Sequence, residues 1–223
     1  MADVNRKASL EQWKSSLKTF TERKSTYITD ESLKRGKLIL EDFVRFSNPT
    51  GSVLDIGCGS GDFGRYSSFD GYVGIDPIAY HTQEFPFTMG VGEHLPFRDN
   101  TFDCVVTMAT LDHCLEPERV VEESKRVLKD SGRLFVFLKV SRTSPTYKIR
   151  RAFSYLKALD FSSLFRSIGG NISLVSRHGN EPCLEYGHTR SFTEKTLPAL
   201  ISESLRVVKT KWHDQDAFIV AQK

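Results

Sequence analysis

The sequence predicts an α/β domain built on a mostly parallel sheet, and three observations predict it. Short apolar segments alternate with amphipathic helical segments along the chain. The segment RLFVFLKV (133–140) is almost continuously apolar, as in strands that are buried on both faces of a parallel sheet. Two strand-like segments, 205–213 and 216–223, have hairpin spacing. Parallel strands cannot be joined so tightly, so we expect the sheet to end with an antiparallel strand.

Each element follows from a local signal. The predicted strands before the hairpin are SVLDIG (52–57), YVGID (72–76), a segment near 88–91, 102–108 and 133–140. The predicted helices are 9–24, 30–46, a short one near 62–68, one that begins at Glu116 and one before the hairpin. Thr29 or Asp30 is the expected N-cap of the helix over 30–46. Pro117 and flanking acids open the helix at Glu116, and Asp130-Ser131-Gly132 is expected to close it.

Composition indicates a single globular domain with additions. The 223 residues are 39% hydrophobic and 26% charged, enough for one sizeable core. No apolar segment approaches the roughly 20 residues that span a bilayer, and the N-terminus lacks the apolar centre of a signal peptide. We therefore expect a cytoplasmic protein without a transmembrane segment. The four cysteines, Cys58, Cys104, Cys114 and Cys183, form no C-x-x-C pair, so reduced thiols and no metal site are expected.

The stretch VLDIGCGSGDFGRY (53–66) contains a glycine turn that can be interpreted in two registers. From Gly59 it spells G-x-G-x-x-G, typical of dinucleotide binding, and from Asp55 it spells D-x-G-x-G-x-G. Both registers let the backbone turn sharply after a strand and approach a ligand. Asp55 would repel a pyrophosphate and favour a cationic group. Asp76, at the end of the next strand, fits a ribose-hydroxyl acceptor in either register.

Several motifs, taken in order, resemble the class I S-adenosylmethionine-dependent methyltransferases, and most closely the methyltransferase type 11 group. They are VLDIGCGSG, YVGIDP, GVGEHLPFRDNTFDCVVTMATLDHC and RVLKDSGRLFVF. The resemblance covers 52–140 strongly and extends to HTRSFT, a helix and a hairpin at 188–222. It implies a Rossmann-like doubly wound sheet of seven strands with the last strand antiparallel, here with N-terminal helices and a helical cap insertion.

The resemblance also implies a cofactor site for S-adenosyl-L-methionine. Its first-strand acid and glycines would hold the methionine part, and Asp76 the ribose. An Asx-type turn is the alternative role of Asp55, and Met108 could equally be a core residue. The family's adenine-facing aspartate is missing in Val91-Gly92-Glu93, so backbone groups there would recognise adenine. The implied cofactor residues are Asp55, Gly57, Cys58, Gly59, Ser60, Gly61, Asp76, Pro77, Gly92, Glu93 and Met108.

The methyl-acceptor side is less defined. His113 resembles a common family histidine and is the first candidate for a general base, which a hydroxyl acceptor would need. Its alternative is a structural histidine bonded to backbone. His188 is a second catalytic candidate, and with Arg190 it could shape the acceptor pocket.

The predicted organisation has four parts. They are N-terminal helices that form a lid or packing elements (1–50), a cofactor-binding core (51–140), a cap insertion (141–190) and a C-terminal helix with a β-hairpin (191–223). The insertion carries eight basic and three acidic residues, a net charge of +5, whereas the whole chain is +3. Arg150 and Arg151 belong to it and could bind an anionic acceptor, or the insertion could be an amphipathic helix packed on the domain. Trp13 could belong to a lid or anchor packing.

The sequence therefore favours a methyltransferase acting on a small molecule or a glycan- or lipid-linked precursor, at oxygen or nitrogen. An RNA-directed methyltransferase and a non-catalytic cofactor-binding relative are the alternatives. The pI of about 8.6 is too mild to favour nucleic acid. TMATLDHC lacks the D/N-P-P-Y and Pro-Cys patterns of DNA base methyltransferases. Asp55 and the lack of a catalytic Tyr-x-x-x-Lys disfavour an NAD-dependent oxidoreductase. Oligomeric state is not predicted.

Overall fold

The computed structural model describes residues 13, 14, 17, 30–66, 69–79, 84–142 and 189–223, which form one seven-stranded sheet with helices on both faces. The helices are α1 (Asp30–Ser47), α2 (Pro117–Val127) and α3 (Thr196–Ser202), with a 3₁₀ helix at Phe63–Tyr66. The strands are β1 (Ser52–Ile56), β2 (Gly71–Asp76), β3 (Phe87–Met89), β4 (Phe102–Met108), β5 (Leu128–Lys139), β6 (Arg206–His213) and β7 (Asp216–Gln222).

The strand order is β3-β2-β1-β4-β5-β7-β6. Strands β1 to β5 pair in parallel, while β7 runs antiparallel to both of its neighbours, β5 and β6. This confirms the predicted doubly wound sheet, its seven strands and its antiparallel last strand. Because β1 lies between β2 and β4, the segments that follow these strands meet at one edge of the sheet.

Alternate residues of the central strands pack into two separate cores. Leu54 and Ile56 of β1 face α2 and α3, whereas Val53 faces α1. The core on the α1 side is aromatic, and the Phe43 ring centroid lies 5.3 Å from that of Phe218 and 5.9 Å from that of Phe63. The two cores hold β1 in place from both faces, and the glycine turn begins where β1 ends.

The end of α2 differs from the prediction that Asp130-Ser131-Gly132 closes the helix. The helix ends at Val127, and Leu128 is already extended and paired with Phe102 of β4. Ser131, at φ 64°, lies where the register between β4 and β5 shifts. Pairing with β4 thus recruits these residues into β5, and they do not form a loop.

Two other expectations bear on the fold. Cys58, Cys104 and Cys114 are buried free thiols, and Cys183 lies outside the described residues. Of the predicted helix over 9–24, residues 13, 14 and 17 are described, and all three are helical. In the described part of the chain, no helix combines the length and the apolar character that crossing a membrane requires.

Candidate cofactor and acceptor site

A cavity of about 200 Å³ lies at the edge of the sheet where the parallel strands end. Its walls come from the turns after β1, β2 and β4 and from the segment 90–93 that follows β3. Trp13 and Leu17 complete the lining from the N-terminal helix. Asp76 and Glu93 are the acidic residues of its lining, and the described lining residues include no lysine or arginine; these acids favour a ligand that carries positive charge.

The glycine turn after β1 forms one wall. The Ile75 carbonyl accepts hydrogen bonds from the amides of Gly57 (2.8 Å) and Cys58 (3.3 Å), and the Gly61 amide donates to the Cys58 carbonyl (2.8 Å). Gly59 adopts φ +52°, and a Cβ added there would meet nothing within 4 Å. Within the described part of the chain, no side chain covers this glycine, which allows a ligand to approach the backbone closely.

Asp76, the last residue of β2, joins the turns that follow β1 and β2. Its Oδ2 accepts a hydrogen bond from the Gly59 amide (3.0 Å), and its Oδ1 accepts one from the Ile78 amide (2.9 Å). The residue is 8% exposed and lines the cavity. The carboxylate thus shapes the site in addition to the ribose-binding role expected for it.

Asp55 lies beneath the glycine turn and is 2% exposed. The Tyr72 hydroxyl donates to its Oδ2 at 2.6 Å, while its Oδ1 is buried without a hydrogen-bond partner among the described residues. Desolvation raises the pKa of Asp55 from 3.8 to about 7, against the Tyr72 hydrogen bond, which lowers it. The charges of Asp76 and Asp62 raise it further. A cation near Oδ1 would stabilise the ionised form of Asp55.

The segment 90–97 is clamped onto α2. Glu93, which is buried, accepts hydrogen bonds at Oε1 from the amides of Leu115 (2.9 Å) and Glu116 (3.4 Å), just before the helix. Arg126 donates to the carbonyls of Leu95 (2.9 Å) and Phe97 (2.8 Å). The Glu93 carboxylate is thus engaged with backbone, and the peptide groups of 90–93 are the part of this segment placed for a ligand.

His113 lies on the opposite wall, in the turn after β4. Its amide donates to the Thr110 carbonyl (2.9 Å), and its Nε2 lies 3.8 Å from Asp112 Oδ1. The side chain is 28% exposed and lines the cavity, so a ligand or water can reach it. Burial raises the pKa of the neighbouring Cys114 well above its usual range, which disfavours the reactive thiolate form.

The chain returns to the core beside His113. Thr189 donates from its amide to the Asp112 carbonyl (2.7 Å), and its hydroxyl contacts the carbonyls of both Asp112 and Cys114. Arg190 forms an ion pair with Glu118. Burial opposes ionisation of Glu118, but the hydrogen bond and charge of Arg190 outweigh it and lower the pKa of Glu118. The backbone on both sides of His113 is therefore fixed by the returning segment.

The structure brings together many, but not all, of the residues that the sequence singled out. The cavity lining contains Gly57, Gly59, Asp76, Pro77, Gly92, Glu93 and His113. Met108 packs against the core on the α1 side. Asp55, Cys58, Ser60 and Gly61 belong to the turn but are not among the lining residues. His188, Arg150 and Arg151 lie outside the described residues.

Sequence reasoning missed Tyr72, Thr110, Leu17 and Cys114. For Tyr72 the sequence holds one weak signal. A tyrosine in a predicted strand whose C-terminal residues are buried is expected to hydrogen-bond through its hydroxyl, because buried Tyr hydroxyls usually have a partner. The identity of that partner depends on strand register, which only the structure supplies.

S-adenosylmethionine fits these residues. The open space over Gly59 admits a ligand, and the carboxylates of Asp55 and Asp76 match its cationic groups and ribose hydroxyls. Together with the sheet order, this arrangement defines the class I S-adenosylmethionine-dependent methyltransferases. Residues 54–136 match the family profile described as "Methyltransferase domain" and are a methyltransferase domain of the type 11 group. The match confirms the predicted class for residues 54–136 and supports S-adenosylmethionine as the cofactor.

Two curated relatives and one solved structure illustrate the similarity. The chain is 32% identical over 102 residues to the ubiquinone/menaquinone biosynthesis C-methyltransferase UbiE of Haemophilus ducreyi, covering 38% of this chain and 39% of that protein. It is 28% identical over 125 residues to the mouse protein named probable tRNA methyltransferase 9B, covering 52% of this chain and 28% of that one.

A Thermotoga maritima S-adenosylmethionine-dependent methyltransferase, described as a possible histamine N-methyltransferase, superposes with a TM-score of 0.53 at 19% identity. The superposition covers 87% of this chain and 96% of that one, and it establishes the shared fold. Among curated relatives at 32–36% identity, the matched region spans 35% to 44% of their own lengths.

Proposed function

We propose that this protein transfers the methyl group of S-adenosylmethionine to an oxygen or nitrogen atom of a small molecule or of a glycan- or lipid-linked precursor. The observation that carries the proposal is the single cavity that Gly59, Asp76 and His113 share. It combines a glycine turn, an acid at the end of β2 and a partly exposed imidazole. When bound, the cofactor supplies an electrophilic methyl group on a sulfonium sulfur.

The residues of this chain divide the work of binding. Asp76 would accept the ribose hydroxyls, Asp55 would stabilise the ammonium group, and the peptide groups of 90–93 would face adenine. Trp13 and Leu17 would exclude water from the cavity. Because the electrophile arrives activated, the protein mainly has to align the acceptor and keep the cavity dry.

His113 would take the proton that the acceptor atom loses as its new bond to carbon forms. Its place on the wall opposite the glycine turn and its proximity to Asp112 support this role. His188 is a second proposed catalytic residue, and the proposal places Arg150 and Arg151 at the acceptor. Arg190 is already paired with Glu118, so it would bind an anionic acceptor only by leaving that pair.

An RNA substrate is the second candidate function, favoured by the similarity to the mouse tRNA methyltransferase homologue. The lining of the described cavity argues against it, because Asp76 and Glu93 contribute acidic groups and no lysine or arginine balances them. A polyanion would then depend on contacts outside the described residues.

The first experiment measures cofactor binding and acceptor class. Calorimetry should detect binding of S-adenosylhomocysteine and no binding of NAD. The protein is then incubated with S-adenosylmethionine that is radiolabelled in its methyl group, together with a metabolite extract or with total tRNA. Label in small organic products supports the proposal, and label in tRNA supports the second candidate. Cofactor binding with no labelled product in either fraction would indicate the non-catalytic relative.

His113→Ala tests the chemistry. If the imidazole is the base, kcat should fall by roughly 10²–10⁴-fold with little change in cofactor affinity. His213→Ala, an exposed position in β6, is the matched control. Wild-type kcat in His113→Ala, or a loss explained by reduced stability, would show that His113 is structural.

A further inference from the structure

The buried Asp55 and the partly buried Tyr72 form a hydrogen-bonded pair beneath the glycine turn. The Tyr72 ring stacks on Phe69, with centroids 5.8 Å apart and an interplanar angle of 17°. It also meets Phe85 edge-on at 5.1 Å. These contacts fix the ring, so the hydroxyl is held where it reaches Asp55 Oδ2 at 2.6 Å. One carboxyl oxygen is therefore committed to Tyr72, and the other is left for a second partner.

Among the described residues, the charged groups that act on Asp55 are acidic. Asp76 faces it from β2 and Asp62 from the turn, and the titratable groups nearby are the Cys58 thiol and the Tyr72 hydroxyl. On the β4 side its neighbour in register is Val106, which carries no charge. Ionising a carboxyl in this position means placing a negative charge in a low-dielectric region close to two others.

Burial and these neighbours hold the pKa of Asp55 at about 7, so the group carries a proton for much of the time near neutral pH. Gly57, two residues further along, lines the cavity. A cation bound at this turn would shift Asp55 from the protonated to the ionised form, since an opposite charge within about 4–6 Å favours the ionised carboxyl.

We propose that binding of the cofactor's ammonium group causes Asp55 to release a proton, and that Tyr72 is the positioning residue that sets the pH at which this happens. The inference rests on the proposed function. The balance is simple: the neutral Asp55 carboxyl becomes a carboxylate, its proton leaves to solvent, and the ammonium group keeps its own proton. Cofactor affinity therefore rises with pH up to about 7 and levels off above it.

The test uses S-adenosylhomocysteine, which carries the same ammonium group and cannot transfer a methyl. Calorimetry at several values between about pH 5.5 and 8.5, in two buffers with different ionisation enthalpies, counts the protons exchanged. Wild-type protein should release up to about one proton at the acid end and almost none at the alkaline end. Its affinity should increase by up to about tenfold per pH unit below pH 7.

Variants assign the proton. Asp55→Asn should bind more weakly at alkaline pH and lose this proton release. Tyr72→Phe removes the hydrogen bond that favours the carboxylate, so its midpoint should move to higher pH. Tyr66→Phe, an exposed tyrosine in the 3₁₀ helix, should behave like wild type. His113→Gln removes the imidazole that lines the cavity. Proton release that persists in this variant does not come from His113.

The outcomes are distinct. If S-adenosylhomocysteine does not bind at any pH, the proposed function fails and this inference fails with it. If it binds without proton release, or if Asp55→Asn releases the same proton, only this inference is overturned. Should Asp55→Asn not fold, the midpoint in Tyr72→Phe decides, and an unmoved midpoint overturns the role of Tyr72.

The ligand-free protein offers a second measurement. The folded carboxyl binds its proton more tightly than the unfolded one, for which the ordinary pKa is 3.8, so folding stability falls as pH rises from about 4 to about 7. Denaturant unfolding should show this decrease in wild type and a smaller one in Asp55→Asn. Equal decreases in the two proteins would contradict the assignment.

Discussion

Replacing Asp76 should weaken both the fold and the cofactor site, and the two effects can be measured separately. Its carboxylate accepts hydrogen bonds from the amides of Gly59 and Ile78, and Asp76→Ala leaves both donors without this partner. An unsatisfied buried donor costs about 1–3 kcal/mol. Because the cavity can admit water to part of this region, we expect a loss of about 2–4 kcal/mol in the free energy of unfolding.

The effect on ligand affinity comes from the ribose. Unpaired ribose hydroxyls in a buried site should cost about 1–3 kcal/mol, or roughly 5- to 150-fold in the Kd for S-adenosylhomocysteine. Asp76→Asn keeps one acceptor oxygen and should lie between wild type and Asp76→Ala. Its amide nitrogen cannot accept from the second backbone amide.

Denaturant unfolding of the ligand-free protein measures the first loss, and calorimetry under conditions where each variant is folded measures the second. Asp70→Ala, an exposed position just before β2, is the control for removal of an acid from this segment. Wild-type stability in Asp76→Ala would refute the turn-closing role. Wild-type affinity would refute the ribose assignment, even if stability falls as expected.

Two further substitutions test the frame around the cavity. Gly61→Ala should destabilise the fold by about 1–3 kcal/mol, because φ is +79° and the new Cβ would lie 2.0 Å from the Phe85 ring. Gly71→Ala, where a Cβ meets nothing within 4 Å, should cost much less in the same unfolding assay, and equal losses would contradict the steric argument. Arg126→Met should free two loop carbonyls and weaken S-adenosylhomocysteine binding several-fold by calorimetry. Arg119→Met, on the exposed face of α2, should not, and unchanged affinity in Arg126→Met would show that the clamp does not shape the site.

Local sequence signals sufficed for the elements that meet at the cavity. The strand before Gly57 and the acid at the end of YVGID could be located from the sequence, because each is recognised by the residues next to it in the chain. The seven strands and their antiparallel end followed from spacing and resemblance, and the structure confirms them.

Other features depend on contacts between distant residues. The end of α2 was predicted wrongly at Asp130-Ser131-Gly132, because pairing of Leu128 with Phe102 outweighs the local turn signal. The hydrogen bond between Tyr72 and Asp55 depends on register across two strands, and the clamp by Arg126 reaches back 31 residues to Leu95. Neither has a local signature. The proposed boundaries of the four parts of the chain, and the roles of His188, Arg150 and Arg151, remain predictions.

The pairing of Ser141 with Thr193 has an evolutionary consequence. The Ser141 amide donates to the Phe192 carbonyl (2.8 Å), and Arg142 reaches both Glu194 and the Asp214 carbonyl, so the chain leaves and rejoins the core at one place. The entropic cost of holding the two ends of a connection together rises only slowly with the length of the connection. Insertions and deletions between these anchors would leave strand register intact. If the segment between these anchors binds the acceptor, as proposed, selection could exchange one acceptor preference for another while the cofactor-binding residues stay unchanged.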